Sequence, residues 1–196
     1  MRKGGGPEKG HEWERETGRL LSLWLTNSER PDIFSRNVLS GGAFTLAEKA
    51  GKKSSRAPGD IIAAHPLAFR FLAAYSIECK HLRDIGLMRY LLDPRGLTPL
   101  GQIISLARRQ ARHIDVEYMV IAKQNHKDAM VFVSGLTGDR MLASLRRRGR
   151  REPLHPLHHW FHGRTVFAMR FRDMLSMIDP DLLLPRSNPY DRSLKD

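Results

Sequence analysis

Gly59-Asp60-Ile61-Ile62-Ala63-Ala64-His65-Pro66-Leu67-Ala68-Phe69-Arg70-Phe71-Leu72-Ala73-Ala74-Tyr75-Ser76-Ile77-Glu78-Cys79-Lys80 holds two short apolar runs, each bounded by charge. The first, Ile61 to Ala64, follows Gly-Asp; the second, Ala73 to Ile77, reads as a strand that leads into Glu78-Cys79-Lys80. Side chains alternate along a strand, so Glu78 and Lys80 share one face, and Ile77 and Cys79 the other. The turn His65-Pro66-Leu67 predicts that the two runs pair as a hairpin, with Asp60, Glu78 and Lys80 close together at one end of a sheet. Two carboxylates and one ammonium form a hard-cation site with a spare charged group. Metal-assisted attack on a phosphodiester needs that set: oxygen ligands hold the ion, and the lysine orients or polarises water. Asp…Glu-x-Lys is a loose pattern that a solvated strand end also satisfies. Its placement is more informative, because Glu78 is the only acid in the chain two residues before a lysine, and it ends an apolar strand.

The charge balance narrows the partner. The 196 residues suffice for one good core with appendages. The net charge of +12 and pI near 10.4 imply a polyanionic partner, nucleic acid before an acidic membrane surface, rather than a small-molecule substrate. No apolar run is long enough to span a bilayer, and no signal-peptide pattern opens the chain. The single cysteine, Cys79, excludes an intrachain disulfide and a thiolate-rich zinc site, which fits a reducing, cytoplasmic setting.

Working outward, residues 1–10 are basic and Gly-rich and are expected to be flexible. A helix is predicted from His11 to about Leu25, with Trp13, Thr17, Leu20 and Trp24 as its apolar stripe and Glu14 at the border of that stripe. Ile33 to Leu39 reads as a strand containing Arg36 and closed by Ser40-Gly41-Gly42; residues 43–58 read as a loop, or as a short helix followed by a loop. Thr98 caps a helix that Pro99 begins, lined by Leu100, Ile103, Ile104, Ala107, Ala111 and Ile114 and carrying Arg108, Arg109 and Arg112 on its other face. Val116 to Lys123 and Ala129 to Ser134 are two further strands. Residues 135–163 hold a short helix, the run Arg146-Arg147-Arg148-Gly149-Arg150-Arg151, and His155, His158, His159 and His162, which would share a face on a helix. A late strand, Thr165 to Phe171, has an apolar face that completes the core or meets a second subunit; a helix from Asp173 to Ile178 and an irregular tail from Pro180 follow. The order predicts one α/β domain over residues 11–178, with a mixed central sheet flanked by helices and a basic insertion at about 135–163.

These landmarks together resemble the PD-(D/E)XK nuclease superfamily, and within it the archaeal-type Holliday-junction resolvases. Lys9-Gly10-His11-Glu12-Trp13-Glu14-Arg15-Glu16 is similar to their Lys-Gly-x-x-x-Glu-Arg-Glu helix. Arg36 with Ser40-Gly41-Gly42, then Gly59-Asp60-Ile61-Ile62-Ala63, Ile77-Glu78-Cys79-Lys80, Leu100-Gly101-Gln102-Ile103-Ile104 and Met119-Val120-Ile121-Ala122-Lys123 follow in the family's order. Gly59 stands where the family more often has proline, and residues 135–163 have no counterpart. The resemblance implies a restriction-endonuclease-like core and a Mg²⁺-dependent deoxyribonuclease, with Mn²⁺ able to substitute. Asp60, Glu78 and the Cys79 carbonyl would bind the metal, with Glu14 contributing directly or through water, and Lys80 would orient the attacking water. Arg36, Ser40, Arg108, Arg109, Arg112, Lys123, Arg146, Arg147 and Arg148 would contact DNA, which branched structure and a homodimer would suit. The setting would be a cytoplasm, a host's if the chain is phage-encoded. The competing readings are a non-catalytic basic DNA-binding module and a nuclease of the same superfamily acting on duplex or ends.

Overall fold

The strand that carries Glu78 and Lys80 is β3, Tyr75–Leu82, and it forms one edge of a five-stranded sheet. The computed structural model describes residues 6–38, 59–92, 98–147, 149, 155–159 and 164–184. Within them the elements run α1 Gly6–Leu25, β1 Phe34–Arg36, β2 Ile61–Ala63, a 3-10 turn Pro66–Ala68, α2 Phe69–Leu72, β3, α3 Leu87–Leu92, α4 Pro99–His113, β4 Glu117–Gln124, β5 Met130–Ser134, α5 Gly135–Arg147, β6 His155–His159, β7 Arg164–Arg170, α6 Phe171–Met177 and α7 Pro180–Leu183.

The large sheet has the order β3-β4-β5-β7-β6. Its first pair is parallel, which requires a crossover, and α3 and α4 supply it; the remaining pairs are antiparallel. The start of α4 follows its local chemistry: the Thr98 hydroxyl accepts from the Gly101 amide at 3.2 Å, and Pro99 occupies the first turn, where its missing N–H costs nothing. Leu100, Ile104, Ala107 and Ala111 are buried as expected, whereas Ile114 caps the helix end and is 37% exposed.

Both faces of the sheet are covered. On one, Trp13 and Leu21 of α1 and Met141 of α5 pack with Ile77, Cys79, Ile121, Val131, Phe167 and Met169. On the other, Tyr90 and the apolar side of α4 cover Val120, Phe132, Val166 and Ala168. Each fully buried side chain of this size contributes roughly 1.5–3 kcal/mol relative to exposure. The chain approaches closely where α5 crosses β7: a Cβ on Gly138 would lie 2.0 Å from the Phe167 ring.

Several expectations change. Ile61–Ala63 does not form a hairpin with the Glu78 strand; it pairs antiparallel with Phe34–Arg36. The intervening residues coil instead, since the His65 side chain accepts from the Leu67 amide and Pro66 starts a helical turn that α2 continues. The strand begins at Tyr75 rather than Ala73 and extends past Lys80 to Leu82. Helix α1 begins at Gly6, inside the stretch expected to be flexible, and α7 orders the start of the tail, burying Leu183 and Leu184. Strand β7 lies between β5 and β6 with residues of both faces buried, so its apolar face belongs to the core and is not open to a second subunit. Residues 155–159 form a strand, so the helical spacing that would gather their histidines does not apply. Helix α5 is part of the core rather than an appendage, with Thr137, Met141, Ser144 and Leu145 buried.

Candidate active site

Gly59 and Asp60 lie along the outer edge of β3. Gly59 has φ +101, and a Cβ there would come within 2.7 Å of the Ile77 carbonyl oxygen, so only glycine permits this approach. The Asp60 amide donates to the Ile77 carbonyl at 2.7 Å. Asn37 holds the segment from the other side: its amide donates to the Asp60 carbonyl at 2.7 Å, and its Nδ2 donates to the Gly59 carbonyl at 3.0 Å.

Pinned in this way, Asp60 is buried, its side chain 8% exposed, and its carboxylate reaches β3 directly. Its Oδ2 accepts from the Cys79 amide at 2.9 Å and lies 3.3 Å from Lys80 Nζ. Lys80 also pairs with the Glu78 carboxylate. One ammonium thus bridges two buried acids. Burial raises the Glu78 pKa above the ordinary carboxylate range, the Asp60 charge adds to this, Lys80 opposes it, and Glu14 contributes a further rise. Burial works against the charge on Lys80, but the fields of Glu78 and then Asp60 outweigh it and raise the lysine above its usual range. Lys80 is therefore an ammonium at neutral pH. Burial foremost, then Asp60 and Glu78, push the Cys79 thiol well up, so the sulfur stays protonated and the residue offers the site its backbone. The Cys79 amide points away from β4 toward Asp60. In an extended strand the N–H and C=O of one residue face the same side, so its carbonyl also faces this edge.

On the α1 side, Arg36 Nε donates to Glu14 at 2.6 Å, with the two side chains 20% and 12% exposed. Lys123 stands over the Trp13 ring, 4.7 Å from its centroid, and 3.5 Å from Glu16. Asp60, Glu78, Cys79, Lys80, Glu14 and Arg36 therefore form a single neighbourhood. Arg108 and Arg112 line a separate cavity beside α4, Arg109 is exposed on the same helix, and Arg146 and Arg147 are exposed in the last turn of α5. Ser40 and Arg148 lie outside the described residues, as do residues 43–58 and His162.

Among the described residues, no three His, Cys, Asp or Glu side chains are gathered as a ready metal cluster. Two carboxylates, Asp60 and Glu78, converge on one cation, Lys80, and Glu14 is turned to Arg36. With the Cys79 carbonyl, the donors are all oxygen, which suits a hard divalent ion and not a thiolate-bound one. Burial foremost, and then the Asp60 charge, disfavour the Glu78 carboxylate, and a bound cation would relieve both. The residues present thus fit a divalent metal held by two carboxylates and a carbonyl.

A family model described as "Phage putative PDDEXK endonuclease" matches residues 6–182, from the first residue of α1 into α7. The chain belongs to this family. No curated protein and no solved structure matches it. As a PD-(D/E)XK endonuclease family member it has the restriction-endonuclease-like architecture, a mixed sheet between helices. PD-(D/E)XK nucleases act on DNA and generally use divalent metals. No helix among the described residues is long and apolar enough to cross a membrane.

Two residues that hold this candidate site were not singled out by sequence. Asn37 follows Arg36 and carries no pattern of its own. Ser22 of α1 accepts from the Phe34 amide at 3.0 Å and donates to the Gly18 carbonyl at 2.7 Å, which docks β1, and with it Arg36, against the helix. A buried serine within the apolar stripe of a helix is the one signal that would have marked it.

Proposed function

We propose that this chain is a metal-dependent DNA endonuclease that hydrolyses phosphodiester bonds, with branched DNA of the four-way-junction kind as its substrate. The observation that supports it is the single ammonium shared by two buried carboxylates at the outer edge of β3. A basic protein gains nothing in DNA affinity from buried acids, whereas a nuclease needs them. This favours the nuclease over a passive DNA-binding module.

Asp60, Glu78 and the Cys79 carbonyl would hold Mg²⁺, or Mn²⁺ in its place, with Glu14 joining directly or through water. When bound, such an ion polarises the phosphoryl oxygen and lowers the pKa of a ligated water. Lys80 donates hydrogen bonds: it orients the attacking water and faces the charge that develops on the phosphoryl oxygens. Arg36, Lys123 and the arginines of α4 would bind flanking phosphates, with Ser40 and Arg146, Arg147 and Arg148 extending the contact. Symmetric cutting of a junction needs two such sites, and the described residues carry one, so the working unit is a two-fold homodimer. The setting would be a cytoplasm, that of the host if the chain is phage-encoded.

A cleavage assay with matched four-way-junction, duplex, flap and single-stranded substrates, in Mg²⁺ and in chelator, tests the reading. Junction cutting that requires metal and is lost in Asp60→Asn supports it. Metal-dependent cutting of duplex or ends alone replaces the junction with those substrates. Binding without cutting of any substrate favours the binding module.

A further inference from the structure

Beside α4, on the far side of β4 from Asp60, the fold forms a partly open cavity of about 370 Å³. Arg108 and Arg112, one helical turn apart, provide two guanidinium groups on one wall. On another, the Glu117 carboxylate accepts from the Ser134 hydroxyl, which leaves carboxylate lone pairs free to accept more. Ile104 and Val166 line the wall as apolar surface. The volume lies in the range of small-ligand sites and exceeds what a groove-surface phosphate contact needs. Cationic, hydrogen-bonding and apolar surfaces in one pocket match the three parts of a nucleotide: phosphate, base edge and base face.

Part of the pocket wall also lies on the reactive face of the sheet. Glu78 is opposite Val120 and Ser76 is opposite Tyr118 in the parallel register, so Glu78, Lys80 and the pocket's Tyr118 share a face. Glu117 stands opposite Tyr75, so its side chain leaves from the other face, at the strand end where it meets Ser134; the position lies three residues, about 10 Å, before Glu78. We propose that this cavity is a nucleotide subsite that takes the phosphate and base of one unpaired deoxynucleotide. Arg108 and Arg112 hold the phosphate, and Glu117 accepts from a base amino group. The nucleotide comes either from the DNA strand being cut or from free nucleotide acting at a second site; the strand source rests on the nuclease reading given above.

The test uses the full chain in chelator, so that binding is read without cleavage. By calorimetry, dCMP and dAMP should bind, and inorganic phosphate should bind about tenfold or more weakly, because it leaves the base wall empty. Arg112→Ala should weaken dCMP about tenfold, the loss of one charge-assisted hydrogen bond. Ser105→Trp, at an exposed position on the cavity rim, should block dCMP and leave the melting temperature unchanged. Phosphate binding as tightly as dCMP, or no nucleotide binding at all, would overturn the proposal. A duplex carrying one unpaired 2-aminopurine separates the sources. Tighter binding than the fully paired duplex, lost in Ser105→Trp, identifies the strand; mononucleotide binding without that preference identifies the free nucleotide. Metal-dependent cleavage, measured separately, decides the nuclease reading whichever way the binding result falls.

Discussion

The Asp60 carboxylate accepts a hydrogen bond at 2.9 Å from the backbone amide of Cys79, a residue nineteen positions later in the chain. The strand edge thus fixes the acid before any metal binds. An asparagine carbonyl oxygen can accept the same bond. Asp60→Asn should therefore keep the melting temperature within a few degrees of wild type while lowering cleavage by at least about a hundredfold, because a neutral amide is a poor ligand for a hard cation. Thermal denaturation beside single-turnover cleavage checks both parts. A large loss of stability would mean that the charge of Asp60, and not its acceptor oxygen, holds the strand.

Glu78→Gln should be more stable than wild type at neutral pH. Burial and the Asp60 charge raise the Glu78 pKa in the folded state, so the folded protein binds this proton more tightly than the unfolded chain. Its contribution to stability is then most favourable below the unfolded carboxylate pKa and is lost as pH rises toward the folded value. The variant should gain on the order of 1 kcal/mol per unit of that rise once pH exceeds it, and little below about pH 4. Urea denaturation of both proteins across the acid to neutral range would show converging curves at low pH. Parallel curves would count against a strained Glu78.

Lys80→Met should behave in the opposite sense. The raised lysine pKa means that its stabilisation is fully present below the ordinary lysine range and is lost only as pH climbs through the folded value. Removing the ammonium at neutral pH leaves Asp60 and Glu78 facing each other, at a cost of about 3 kcal/mol. Millimolar Mg²⁺ should restore more stability to this variant than to wild type, since a divalent ion then replaces the missing positive charge. Equal thermal shifts in the two proteins would argue that Mg²⁺ binds elsewhere.

Asn37→Ala removes the side-chain bond to the Gly59 carbonyl and keeps the backbone bond to Asp60. We expect a loss of about 1 kcal/mol in stability and a lower kcat with DNA affinity unchanged, because Asn37 positions the acid without touching the substrate. Asn37→Asp cannot donate to that carbonyl and should not rescue. A parallel loss of DNA affinity would place Asn37 in the interface instead.

Raising salt should weaken DNA binding steeply. Replacing Arg146, Arg147 and Arg148 with Ala should flatten the slope of log affinity against log salt by about 0.9 for each phosphate that is no longer neutralised. Basic residues in the last turn of α5 also complement the helix dipole, so an unchanged slope with a lower melting temperature would assign the described pair, Arg146 and Arg147, a structural role alone.

Much of the sheet was legible because local chemistry dictates it. Thr98 and Pro99 start α4 wherever it packs, the apolar runs of β4 and β5 need no partner to be recognised as strands, and alternation puts Glu78 and Lys80 on one face. Glu14 at the border of the α1 stripe was likewise readable from helical spacing, and it is indeed half turned inward, toward Arg36. The pairing of β2 was not legible. Turn residues between two apolar runs favour a hairpin, but they cannot report that Ser22 and Gly18 of α1 dock β1 where it competes for the same strand.

The sequence by itself determined the residue types of the site, their order and the strand that presents Glu78 and Lys80, since these follow from periodicities of two and 3.6 residues. Only the tertiary structure decided that Asp60 meets the Cys79 amide, that Lys80 bridges two acids and that Glu14 faces Arg36. Each of those contacts joins elements far apart in the chain. Its geometry is set by which strand lies outermost and which helix packs over it, and both depend on burying the whole apolar surface at once rather than on any local run of residues.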